Sequence, residues 1–371
     1  GSLKCATKTQ RRQASQRNIT KSSCFFVTWC LSGKTLRLTM IIELKSSVSE
    51  SRANEIAAAL KAFCIHYDGK YTLITPSATK ELEVKFQGEA DRVTVLNDDM
   101  QLSSRAWKKE TRTIDINGIK IGGSTNHTAL IAGPCSVESE EQIEQSAMLL
   151  KELGISTMRA GAYKPRTSPY TFQGMGLDGL KLLAKMREKY GFNIITEVRD
   201  ATQVEDIIEY ADIIQIGAKS MYDHGILKRC GKTQKPVLLK RGFGSTLQEF
   251  LQCAEFVLAG GNPNVILCER GIRTFETKTR FTLDLCGAAW MKEYSNLPVI
   301  LDPSHAIGYA YGVPDLARAC TAMGVDGLLI EVHPNPKVAK SDASQQLNHD
   351  EFRALTKSLK AVAESIGRKI I

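Results

Sequence analysis

From residue 128 onwards the chain repeats one pattern eight times: a short apolar run ends in charged, polar or sulfur-bearing residues, and an amphipathic stretch follows. The apolar runs fall at 128–135, 156–162, 193–198, 213–218, 236–241, 265–270, 298–303 and 327–333. Helical periodicity lies near 139–153, 177–190, 202–210, 221–230, 246–260, 277–292, 313–323 and 350–366. Strictly alternating strands and helices predict a parallel sheet covered by helices. Eight such units in about 240 residues match a (β/α)8 TIM barrel in number and length. A doubly wound open sheet is the alternative, but no G-x-G-x-x-G follows the first strand.

In a barrel the strand ends meet at one mouth, where side chains from distant positions converge. Here those ends read Cys135 to Glu138, Arg159 to Arg166, Glu197-Val-Arg199, Gln215 to Lys219, Lys240-Arg-Gly242, Glu269-Arg-Gly271, Asp302-Pro-Ser-His305 and Glu331-Val-His333. Core packing does not call for such residues at every strand end. The most constrained of these stretches is Arg159-Ala-Gly-Ala-Tyr-Lys-Pro-Arg-Thr-Ser-Pro169. Its prolines restrict their own backbone and push the preceding residues towards extended forms. Arg159, Lys164 and Arg166 therefore form a rigid cationic segment suited to phosphate or carboxylate. Lys219, Lys240, Arg241 and Arg270 add further cations, enough for two anionic substrates. No P-loop is present, so a nucleotide is not implied.

Cys135, His305 and Glu331, with Asp342 on a following loop, offer sulfur, nitrogen and oxygen donors. Such a mixed set suits a divalent transition ion such as Mn, Fe, Co or Zn. Taken singly, Cys135 also fits a buried small hydrophobe, and His305 a loop cap. The residues alone thus reach a metal-assisted barrel enzyme acting on small, multiply anionic substrates.

Net charge is +9, but residues 1–39 carry eight Lys or Arg and no Asp or Glu, leaving about +1 for the rest. The basic balance is therefore no argument for nucleic acid. Gly1-Ser2 reads as a protease scar, and residues 1–39 as a tag-derived or disordered extension; a transit peptide is the rival reading. No apolar run approaches the length of a membrane span. Ten cysteines without metal-finger or redox spacing point to a reducing compartment, and a cytoplasmic location is expected.

Residues 40–110 read as a small ferredoxin-like α/β domain. A strand at 41–46 precedes a helix carrying Ile56, Ala57, Leu60, Phe63 and Cys64 on one face, then strands at 71–75 and 82–86, a helix near 89–93 and a strand at 93–96. Thr113 to Ile121, turning at Asn117-Gly118, predicts a hairpin that closes the floor of a catalytic barrel spanning 111–371.

Ile131-Ala-Gly-Pro-Cys-Ser136, Gly161-Ala-Tyr-Lys-Pro-Arg-Thr-Ser168, Gln215-Ile-Gly-Ala218, Leu238-Leu-Lys-Arg-Gly242, Asp302-Pro-Ser-His305 and Glu331-Val-His-Pro334 together resemble 3-deoxy-D-arabino-heptulosonate 7-phosphate (DAHP) synthases. The likeness is to the type I-beta branch, whose members can carry an N-terminal ferredoxin-like regulatory domain. The sister 3-deoxy-D-manno-octulosonate 8-phosphate synthases share the barrel but typically read Lys-Ala-Asn-Arg-Ser where this chain has Lys164 to Ser168. The resemblance implies condensation of phosphoenolpyruvate with D-erythrose 4-phosphate, the first step towards chorismate and the aromatic amino acids. It implies metal ligation by Cys135, His305, Glu331 and Asp342, and phosphoenolpyruvate binding by Arg159, Lys164, Lys219, Lys240 and Arg270. Lys164, Pro165, Arg166, Thr167 and Asp342 would meet erythrose 4-phosphate. Lys164, Glu197 and His333 are the candidates for proton transfer. One departure stands out: Lys219 occupies a position where the family usually has Arg. An aromatic amino acid effector and a homotetramer are further expectations of the resemblance.

Overall fold

The computed structural model describes residues 39–76, 84–97, 100–164 and 168–371. The extension read at 1–39 therefore lies outside the described residues except for its last position. The first region runs β1 (Thr39–Leu44), α1 (Glu50–Leu60), β2 (Phe63–Tyr67), β3 (Lys70–Ile74), α2 (Val84–Gln87) and β4 (Ala90–Leu96). Its antiparallel sheet has the order β2-β3-β1-β4, on the strand–helix–strand–strand–helix–strand plan. Two local readings change. Ser49 caps α1 by accepting from Arg52 N, but the helix ends where Lys61 turns left-handed at φ 51°. Phe63 and Cys64 thus belong to β2 rather than to the helical face. The second helix is one turn at Val84–Gln87, where the sequence pattern predicts a strand, and the residues near 89–93 pass into β4.

The barrel strands are β7 (His127–Gly133), β8 (Thr157–Arg159), β9 (Asn193–Val198), β10 (Ile213–Ile216), β11 (Val237–Lys240), β12 (Val265–Glu269), β13 (Val299–Leu301) and β14 (Gly327–Glu331). Each is parallel to its neighbours, and β14 pairs back onto β7 from Gly327 opposite Ala129 to Glu331 opposite Gly133, closing the ring. All eight strands lie where the sequence predicts them. Before them stands the hairpin β5 (Thr113–Ile116) and β6 (Ile119–Gly122). Asn117 and Gly118 take φ of 49° and 91°, the positive values that a tight two-residue hairpin turn requires. Ile114, Ile116 and Ile121 share one buried cluster with Ile131, Ile195, Ile213, Leu238, Ile266, Ile300 and Leu329, which point into the barrel. The hairpin therefore plugs the end of the barrel away from the site, as expected.

Three of the covering helices begin with these side-chain caps: Ser139 accepts from Gln142 N, and Thr246 and Asn348 form reciprocal capping boxes with Glu249 and Glu351. One helix differs from expectation. Residues 277–284 are loop, and the helix covers only Leu285–Tyr294, capped by Asp284. No helix among the described residues is long and apolar enough to cross a membrane. The segment entering the barrel is tied to the helix Leu247–Ala259: the Glu255 carboxylate accepts from Gln101 N at 2.9 Å, Leu102 N at 3.1 Å and Ser103 N at 2.8 Å.

Candidate active site

At the carboxyl ends of the strands lies a cavity of about 300 Å³ lined by Lys164, Glu197, Lys219, Lys240, Arg270, Arg280, His305 and Asp342, with Phe243 and Phe281. Two glycines in the motifs are explained by close approach. A side chain at Gly133 (φ 146°) would meet Arg159 O at 2.1 Å, and one at Gly217 would lie 2.4 Å from Glu197 Oε1. The first opens the Gly-Pro-Cys turn over β8. The second lets β10 pass beside the Glu197 carboxylate, which accepts from Gln215 Nε2 at 2.6 Å.

Beneath the cavity, Cys135, Glu331 and Asp342 bring one donor atom each to within 4.8 Å of one another. Cys135 Sγ is 3.5 Å from Asp342 Oδ2. His305 Nε2 faces the same group, 3.4 Å from Glu331 Oε1 and 3.8 Å from Asp342 Oδ2. The four residues expected to ligate a metal, separated by up to 207 positions in sequence, thus converge. Asp342 reaches its place with φ at 42°, a left-handed conformation that costs roughly 1 kcal/mol for a residue with a Cβ.

Electrostatics sort the donors by protonation state. Burial holds the His305 imidazole below its ordinary value. Its Nδ1 lies 2.7 Å from Asp302 Oδ2, an arrangement that places the proton on Nδ1 and the lone pair of Nε2 towards the cluster. Burial alone would raise the Glu331 carboxyl, but His305 and Arg159 outweigh it and keep it ionised. Asp342 likewise overcomes its burial through His305, Arg280 and Lys164 and stays well below the usual carboxylate range. The Cys135 thiol is pushed up to about 12 by burial and the Glu331 charge. Two carboxylates and an imidazole stand ready to ligate; the thiol needs a cation to displace its proton, which a divalent transition ion does. This donor set fits such an ion.

The cations divide into two kinds. Arg159 is buried and donates from Nη1 to Glu331 Oε1 at 2.6 Å and to Pro134 O at 3.0 Å. Lys164 lies 3.1 Å from Cys135 Sγ, and although burial would lower it, Cys135 and Glu197 hold it above its ordinary value, so it is an ammonium. Lys240 is ion-paired with Asp302. Arg270 is different: it is buried, its Nε and Nη1 have no hydrogen-bond partner among the described residues, and the Phe281 ring centre lies 4.5 Å from its guanidinium. Those unpaired donors are poised for an anion. Lys219 is exposed on the rim, on the short 3-10 turn Ala218–Ser220.

Three expectations need comment. Arg241, counted among the cations available to substrates, is already engaged: its Nη1 binds Glu269 at 3.0 Å and Asp284 at 2.8 Å. His333 is not in the cavity lining. β14 stops at Glu331 and the chain bonds instead to Leu347, so His333 no longer follows the inward alternation; its Nε2 lies 3.5 Å from Glu138. Pro165, Arg166 and Thr167 lie outside the described residues.

Sequence reasoning missed Asp302 as a site residue, along with Arg280, Gln345 and Gln346. Asp302 had a local signal: it stands three residues before His305, and it also caps that turn by accepting from His305 N at 2.9 Å. The other three have none, because they act through contacts between distant segments.

Comparison with known proteins agrees with this arrangement. The model of the DAHP synthetase I family matches residues 99–368. Phospho-2-dehydro-3-deoxyheptonate aldolase of Thermotoga maritima is 45% identical over 270 residues, 73% of this chain and 79% of the relative. A 2-dehydro-3-deoxyphosphooctonate aldolase of Fusobacterium nucleatum is 33% identical over 265 residues, 66% of this chain and 94% of the relative. The crystal structure of the Thermotoga maritima DAHP synthase aligns with a TM-score of 0.72 at 38% identity, covering 90% of this chain and 99% of that one. A closed eight-stranded barrel with these motifs at its mouth, matched across most of the chain, makes this protein a member of the DAHP synthetase I family.

Proposed function

We propose that this chain condenses phosphoenolpyruvate with D-erythrose 4-phosphate and water, giving 3-deoxy-D-arabino-heptulosonate 7-phosphate and phosphate. The observation that carries the reading is the cavity itself, where a buried arginine with two donors unpartnered among the described residues, three lysines and a four-residue donor cluster meet. Arg270, Lys240, Lys219 and Lys164, with Arg159 beneath, would bind phosphoenolpyruvate. Holding two mutually repelling phosphorylated substrates side by side is a large part of the catalysis. Cys135, His305, Glu331 and Asp342 would hold a divalent ion (Mn, Fe, Co or Zn), which when bound supplies Lewis-acid polarisation of the aldehyde oxygen.

In this scheme carbon 3 of phosphoenolpyruvate attacks the aldehyde carbon, and the Lys164 ammonium protonates the new alkoxide. Water adds at carbon 2, its proton taken by Glu197, whose carboxylate faces the cavity and is oriented by Gln215. The phosphohemiketal then collapses with loss of phosphate. Asp342 and Lys164 would also contact the sugar phosphate.

The test is phosphate release from phosphoenolpyruvate with either erythrose 4-phosphate or arabinose 5-phosphate, each with and without chelator. Turnover with erythrose 4-phosphate, lost on chelation and restored by Mn, is the expected result. A preference for arabinose 5-phosphate would reassign the substrate, and activity that survives prolonged chelation would remove the metal role. Lys219→Arg should lower the KM for phosphoenolpyruvate by roughly threefold to tenfold, because a planar fork binds a phosphate or carboxylate better than a point charge. An unchanged KM would show that this rim position does not touch the substrate.

The sheet region of residues 39–96 enters the same proposal as a regulatory module for an aromatic amino acid. Its support is the clamp of Glu255 on residues 101–103, which ties the module's exit to a barrel helix. Deleting residues 1–98 should abolish inhibition by phenylalanine or tyrosine while leaving turnover. Inhibition that persists would put the effector site on the barrel. Sedimentation of the full chain would check the expected homotetramer.

A further inference from the structure

Two adjacent side chains on the loop after β14 reach in different directions to two members of the donor cluster. Gln345 Nε2 donates to Glu331 Oε2 at 2.6 Å, while its Oε1 accepts from Arg280 Nη1 at 2.7 Å. Gln346 Oε1 accepts from Cys135 N at 2.9 Å, while its Nε2 donates to Ser341 O at 2.8 Å. Both glutamines are 1% exposed. We propose that Gln345 and Gln346 are positioning residues that orient the donor cluster, Gln345 through the Glu331 carboxylate and Gln346 through Cys135 and the loop bearing Asp342.

The bonding pattern fixes what each amide does. With Arg280 on its oxygen, Gln345 can present only its N–H to Glu331. That engages Oε2 and leaves Oε1 as the oxygen turned towards His305 Nε2, with Arg159 on its other side. Gln346 bridges two chain segments that have no covalent connection nearby. One holds Cys135; the other ends at Ser341, directly before Asp342 with its left-handed backbone. A second link runs beside it, Ser136 Oγ to Ser341 Oγ at 2.6 Å, also buried. Together these bonds set the Sγ of Cys135 against the carboxylate of Asp342. Residues that orient metal ligands in this way commonly matter to affinity almost as much as the ligands.

The inference rests on reading Cys135, His305, Glu331 and Asp342 as metal donors, so the test separates the two. Metal-free wild type, Gln345→Met and Gln346→Met are titrated with Co²⁺, following the absorption of the bound ion, and each metal-free protein is melted. We expect Co²⁺ to bind about 10–100-fold more weakly to each variant, with melting temperatures close to wild type. The thiolate-to-cobalt charge-transfer band should change in Gln346→Met and persist in Gln345→Met at saturation, since only Gln346 acts through Cys135. Should either methionine variant fail to fold, Gln345→Asn and Gln346→Asn take their places. Each should weaken Co²⁺ in the same direction, by about three- to tenfold. Folded variants that bind Co²⁺ within about twofold of wild type would overturn the positioning role. A wild-type protein that binds no Co²⁺ would overturn the donor assignment, and this inference with it.

Discussion

Arg270→Met is expected to make the substrate-free protein more stable and the enzyme far less active. The guanidinium is buried after β12, with Nε and Nη1 unpartnered, and burial lowers its affinity for the proton. The Phe281 ring offers some compensation, but among the described residues no carboxylate bonds those two nitrogens. A buried charge lacking its hydrogen bonds is unfavourable, and replacing such a group with an apolar chain of similar length commonly stabilises by about 1 kcal/mol or more. Phosphoenolpyruvate would supply the missing acceptors. Its loss should therefore appear in kcat/KM, by about a hundred- to a thousandfold. Chemical denaturation of the substrate-free variant reads the first effect and initial rates read the second. A variant that is less stable than wild type would show that Arg270 is held by the fold rather than kept free for substrate.

How much of this was legible in the sequence depends on the range of the forces involved. The barrel strands were readable because each is a short apolar run between polar ends, and their closure follows from number. The plug was readable because Asn117-Gly118 is a local turn signal flanked by alternating isoleucines. The helix read from 277 was not, since its true start depends on Asp284, which caps it while also bonding Arg241 from the end of β11. That error hid Arg280, which lies on the loop so exposed and lines the cavity. The α1 helix seemed to continue to Cys64 because apolar spacing persists past Leu60; the left-handed turn at Lys61 leaves no comparable mark. In the site, the donors were legible as residue types at strand ends. The sorting of the cations was not: Arg241 and Arg270 look alike in sequence, yet Glu269 and Asp284 engage the first, while Nε and Nη1 of the second have no partner among the described residues. Gln345 and Gln346 carry no charge and no motif chemistry, so their reach to Glu331 and Cys135 could be seen only in three dimensions.

Glu331→Gln and Cys135→Ser should both abolish metal-dependent turnover, yet differ sharply in what they do to the metal-free fold. Glu331 is fully buried and accepts from Arg159, itself 2% exposed, at 2.6 Å. Neutralising the carboxylate leaves Arg159 as an unpaired buried cation, a change that typically costs about 3–5 kcal/mol. Cys135→Ser strands no charge and replaces a protonated thiol by a hydroxyl beside Lys164, so a loss below about 1.5 kcal/mol is expected. The pH dependence has a definite sign. The folded Glu331 carboxyl lies below its unfolded value because His305 and Arg159 outweigh its burial. Its stabilisation is therefore complete above the unfolded value of about 4.3 and fades as pH falls through the folded one. Urea denaturation in chelator should show a wide gap between wild type and Glu331→Gln at neutral pH that narrows in acid. The Cys135→Ser gap should stay small throughout. Equal losses for the two variants would mean that Arg159 finds another partner when Glu331 is neutral, and that the ion pair does not set the stability of the mouth.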